Sequence, residues 1–116
     1  MDIEEIRKLP KVLLHDHLDG GLRTETIVDM AKNEKIDLPT NDPGELRKWF
    51  FRGANRGNLR EYLRGFEITT AVLQTEEALY RVAYEMMEDM KNDGVIYIET
   101  RFSPLFHTKR GLGYDQ

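Results

Sequence analysis

Residues 11–21 read KVLLHDHLDGG, an apolar run that ends in two histidines, an aspartate and a glycine pair. Lys11 to His17 follows Pro10 and predicts a short buried strand with a polar tip, and Gly20 and Gly21 then give the chain freedom to turn. Side chains alternate along a strand, so Leu13, His15 and His17 are expected on one face and Leu14 and Asp16 on the other. Asp16, on the outward face, is expected to meet a basic residue from a covering helix.

The pattern changes period beyond this strand. Thr24-Glu25-Thr26 opens a helix, with Thr24 as its expected N-cap and Ile27, Val28, Met30 and Ala31 on its apolar side. Leu38 to Gly44 holds two prolines and reads as a connection, after which Asp42 caps a helix carrying Leu46, Trp49 and Phe50. RGANRGN at 52–58 reads as a loop, and Leu59, Tyr62, Leu63, Phe66 and Leu73 then recur at helical spacing. Thr75-Glu76-Glu77 starts the clearest helix, with Leu79, Val82, Ala83, Met86, Met87 and Met90 expected to be buried. Asn92-Asp93-Gly94 stops it, and VIYIETRF at 95–102 is a strand rich in β-branched and aromatic residues. Strand, helices, strand makes an α/β unit, whose parallel strands need helical crossovers. Two strands make no stable parallel sheet alone, so the order reads as the opening of a larger fold.

Composition removes several functions. The 116 residues carry 21 acidic against 17 basic side chains, a net charge of −4, with no Lys/Arg block, which argues against nucleic acid or an anionic membrane as partner. No apolar run reaches membrane-span length, and the charged first eleven residues do not read as a signal peptide. The absence of Cys excludes disulfides, thiolate zinc ligands and a Cys nucleophile. A reducing, cytoplasmic setting is expected, and any metal must be held by His and carboxylates.

Two imidazoles at i and i+2 can converge on one ion, and zinc accepts His and carboxylate ligands while leaving a position for water. A strand end before a glycine turn is also where α/β barrels keep their chemistry. Exposed histidines on a strand tip equally need no metal, so spacing alone leaves both readings open. The third histidine, His107, lies in a polar stretch and is expected at the surface. Glu99 and Arg101 share a strand face with Tyr97 and are expected to pair.

Residues 10–20, PKVLLHDHLDG, with LRTET at 22–26, resemble the opening of adenosine deaminases. GVIYIETRFSP at 94–104 is similar to a second strand of that family, and LREYLRGF at 59–66 to the helix over its substrate pocket. The resemblance implies that residues 1–116 are the N-terminal portion of a single (β/α)8 TIM barrel domain, a fold that needs about 250 residues. It implies Zn2+ bound by His15 and His17, and a purine nucleoside held by His17 and Asp19, with Asp19 accepting from the ribose 5′-hydroxyl. Gly20, Leu59, Tyr62, Leu63 and Phe66 are further substrate-binding candidates. It also implies hydrolysis of adenosine and 2′-deoxyadenosine to inosine, deoxyinosine and ammonia, in purine salvage. The remaining ligands and the acid–base groups are expected after Gln116, so these residues alone are expected to be inactive. Asp19 favours a nucleoside over the free base of adenine deaminases. A truncated, non-catalytic metal-binding or association module is the alternative, and no oligomeric state or protein partner is readable. Gly21 and Thr24 depart from the family pattern, where Ser and Pro are common.

Overall fold

The computed structural model describes residues 2–55 and 57–115. A short helix α1 (Ile3–Lys8) leads into β1 (Lys11–His17), followed by helices α2 (Thr24–Glu34), α3 (Pro43–Ala54), α4 (Leu59–Val72) and α5 (Glu76–Asn92), and then β2 (Val95–Arg101). The two strands pair in parallel, with Lys11 opposite Val95 and His17 opposite Arg101. Both strands therefore end on the same side. This is the first part of a (β/α)8 barrel, with four helices inserted between its first two strands.

Local chemistry sets the helix ends. Asp42 accepts from the Glu45 N–H at 2.8 Å with Pro43 in the first turn, and Thr75 caps α5 by accepting from the Ala78 N–H at 3.2 Å. Thr24 does not cap α2: Arg23 occupies that position, and Thr24 is the first helical residue, buried with its hydroxyl against Glu25. The Arg23 guanidinium instead grips Asp89 with two nitrogens and Glu88 with one, tying α2 to α5. The helix α1, which carries too few residues for a periodic signal, was not read from sequence. It has a capping box between Asp2 and Glu5, and the Lys11 ammonium donates to the Ile6 carbonyl at its C-terminal end (2.7 Å).

The core lies among the helices. Ile27, Met30 and Ala31 of α2, Leu46 of α3, Val72 of α4, the following Leu73, and Ala78, Val82 and Met86 of α5 are buried together. The sheet adds only the partly buried Ile98. The expectation of a buried β1 is therefore corrected: Val12 is 55% and Leu14 61% exposed, because two strands leave most of both sheet faces uncovered. Met86 is buried and Met90 packs against the core, but Met87 points outward. Glu99 does not pair with Arg101; it accepts from the Tyr97 hydroxyl at 2.9 Å, while Arg101 donates to the Leu14 carbonyl. Among the described residues no ion pair includes Asp16.

Candidate metal and nucleoside site

At the C-terminal end of β1 the two histidines converge. Their ring centroids are 5.2 Å apart and their Nε2 atoms 3.2 Å apart. Alternation puts positions 15 and 17 on one face, and β1 is bulged there: Leu13 stands opposite Ile98 but Asp16 opposite Thr100, so β1 uses one more residue than β2 across that step. Such bulges re-aim side chains at strand ends. The separation is informative. Two nitrogens each about 2.0–2.1 Å from a zinc ion in tetrahedral geometry lie about 3.3 Å apart. The same distance serves an N–H···N hydrogen bond when one ring carries its proton on Nε2. The donor set thus fits two zinc ligands, and among the described residues no third His, Asp or Glu joins them in a cluster.

A 3₁₀ turn, Leu18–Gly20, follows the strand and buries Asp19 to 4% exposure. Asp19 Oδ1 is enclosed and, among the described residues, without a hydrogen-bond partner, 3.8 Å from His17 Nδ1. The phenyl ring of Phe66 stands edge-on to the His17 imidazole, with centroids 6.4 Å apart, and closes over the turn. A Cβ on Gly20 would sit 3.4 Å from Phe66 Cζ, an ordinary contact, so turn-forming glycine here is a matter of fit and not of strain.

His17 and Asp19 open onto a groove of about 700 Å³. Helix α4 forms one wall through Tyr62, Leu63, Phe66, Glu67 and Thr70, and the end of β2 with its following turn forms the other through Arg101, Phe102, Ser103 and Phe106. Of the expected substrate-binding residues, Tyr62, Leu63 and Phe66 are therefore brought to the groove. Leu59 is not: it is 72% exposed at the first turn of α4 and lines no part of it. Gly20 faces a separate cavity of about 300 Å³ between α2, α3 and α4, which Asp19, Tyr62 and Phe66 also border. The β2 wall was missed from sequence, although position opposite His17 at the end of a parallel strand would have pointed to Arg101 and Phe102.

His107 corrects an expectation. It is 2% exposed, with Nδ1 2.8 Å from the Leu73 carbonyl. The adjoining Gln74 is also buried, donating to the Phe106 and Thr70 carbonyls and accepting from the Lys109 N–H. Together they latch the turn after β2 onto the end of α4. Polarity of residues 106–116 suggested surface, but the partners are backbone groups more than thirty positions away.

Comparison with known proteins agrees with this architecture. A family model described as adenosine deaminase matches residues 10–116. The chain is 53% identical over 115 residues to the adenosine deaminase of Mycobacterium ulcerans (strain Agy99), covering 98% of this chain and 32% of that protein. It is 48% identical over 117 residues to the adenosine deaminase of Mycobacterium leprae (strain TN), again 32% of that protein. The chain thus spans about a third of the curated relatives it matches. Among solved structures, an adenine deaminase from Arthrobacter aurescens superposes with a TM-score of 0.74 at 31% identity, over 90% of this chain and 31% of that one. An N6-mAMP deaminase from arabidopsis shares the fold, with a TM-score of 0.73 at 23% identity over 96% of this chain and 32% of that one.

Proposed function

The chain belongs to the adenosine deaminase family, and on that premise we propose that the protein hydrolyses adenosine and 2′-deoxyadenosine to inosine and deoxyinosine with release of ammonia, in purine salvage. Residues 1–116 supply the N-terminal portion of a single barrel domain, and the acid–base groups come from elsewhere in that barrel. The observation that carries the reading is the 3.2 Å approach of His15 Nε2 and His17 Nε2, with His17 itself bordering the groove.

In this reading His15 and His17 hold a zinc ion through their Nε2 lone pairs. Bound there, zinc would supply a water nucleophilic near neutral pH for addition to an electrophilic purine carbon. The protein's own residues bind and orient. Asp19 is a fixed, enclosed carboxylate beside the groove, placed to accept a hydrogen bond from the ribose 5′-hydroxyl. Tyr62, Leu63 and Phe66 offer apolar and aromatic surface to the nucleoside and keep bulk water away from it. Two ligands alone hold zinc weakly, so residues 1–116 by themselves are inactive.

The structural likeness to an adenine deaminase supports a second reading, in which the free base is the substrate. Loss of adenosine and of adenine in the presence of the intact protein, of which residues 1–116 are the N-terminal portion, followed by ultraviolet absorbance with added zinc, separates the two. Turnover of adenosine alone is expected. Turnover of adenine alone overturns the assignment of Asp19, and turnover of neither overturns the proposed activity.

A further inference from the structure

Asp19 is 4% exposed, and its Oδ1 has no hydrogen-bond partner among the described residues although it stands 3.8 Å from an imidazole nitrogen. We propose that Asp19 is a positioning residue for His17: its Oδ1 accepts from His17 Nδ1–H and so fixes the tautomer that leaves the Nε2 lone pair free for metal. The inference rests on the metal reading above and extends it from the ligands to the group that holds them.

Four observations converge. Asp19 Oδ1 is buried and, among the described residues, unpartnered, an arrangement that costs free energy until a donor reaches it. A donor of suitable chemistry, His17 Nδ1, stands 3.8 Å away, about 1 Å beyond hydrogen-bond length. The carboxylate side chain is held at 5% exposure while the His17 side chain is 49% exposed, so the imidazole is the partner free to close that gap. Its other nitrogen already faces His15 Nε2, and the two nitrogens of one ring thus point at the two groups a ligand histidine needs. Metal-binding imidazoles commonly donate their second N–H to a carboxylate, which orients the ring and raises its basicity. Asp19 Oδ2 is left for the ribose hydroxyl, so one carboxylate serves the metal ligand and the sugar with different atoms.

Two measurements test this. Nitrogen-15 spectra of the metal-free intact protein, labelled at histidine and taken above the imidazole titration, report which nitrogen of His17 carries the proton. Protonation of Nδ1 in the wild type is expected, and protonation of Nε2 overturns the proposal without any variant. The second measurement is zinc affinity without nucleoside, by competition with a chromophoric chelator, for the wild type and Asp19→Asn. A 10–100-fold loss is expected for the variant. An affinity unchanged within twofold, with His15→Ala abolishing binding, overturns this proposal and leaves the zinc reading standing. Zinc affinity insensitive to His15→Ala overturns both.

Discussion

Single residues in this molecule are constrained by backbone as much as by side chains. Gly94, between α5 and β2, has φ +77°, and a Cβ there would lie 2.3 Å from the Arg7 carbonyl oxygen and 2.7 Å from that of Leu9. An L-residue pays about 1–2 kcal/mol for the left-handed conformation alone, and the collision with two carbonyls adds to it. Gly94→Ala is expected to destabilise the protein by about 2 kcal/mol or more, read from urea unfolding midpoints. His107 is constrained differently. Because Leu73 offers only a carbonyl, Nδ1 must donate to it, and the buried Nε2 has no partner among the described residues. His107→Leu removes that donor and strands the carbonyl, an expected loss of about 1–3 kcal/mol in the same unfolding assay. The pair Glu99 and Arg101 shows why residue-scale inference from sequence is fragile: both lie on one strand, yet each found a partner the pattern could not specify, a tyrosine hydroxyl and a main-chain carbonyl.

The elements themselves were largely legible. Strand β1 was readable from its apolar run after Pro10, β2 from its β-branched and aromatic run after Gly94, and α5 from its apolar spacing and its Thr75 cap. Asp42 with Pro43 located α3 because both residues act within one turn. Asp42→Ala is expected to cost about 1 kcal/mol through loss of that cap, measured by thermal unfolding against the Thr75→Ala change in α5. What escaped reading was short or non-local. Helix α1 has six residues and buries none of them. The bulge in β1 depends on register with a strand far along the chain. The candidate site divides the same way: His15, His17 and Asp19 are contiguous and were legible, whereas Arg101, Phe102 and Phe106 join the groove only through strand pairing and the latch at Gln74 and His107. The α2–α5 tie is also tertiary. The hydrogen bond that Arg23 donates to Asp89 pushes its pKa further up, so the arginine side of the tie keeps its charge. Added salt is expected to shrink the coupling found in an Arg23/Asp89 double-mutant cycle, since both side chains reach solvent.

At the scale of the whole molecule, the core gathered among α2, α3, α4 and α5 carries the fold, and the sheet is its least covered part. Ile96 and Tyr97 are 73% and 52% exposed, and each strand has one unpaired edge. Residues 1–116 alone are therefore expected to associate reversibly with rising concentration. Sedimentation velocity checks this, and a strictly monomeric species at high concentration would refute it. The strand ladder has a consequence for how the site comes into being. Val95 lies 84 positions after Lys11, as Arg101 does after His17, so more than eighty residues must follow β1 before it meets β2. At roughly 5–20 residues per second, a ribosome takes about 4–17 s to cover that distance. During that interval the two histidines travel on an unpaired segment, whose register, and with it the convergence of the imidazoles, is still undetermined. Contacts so distant in sequence also form slowly once the chain is complete. Competence to capture metal thus arrives well after the residues that confer it have been synthesised.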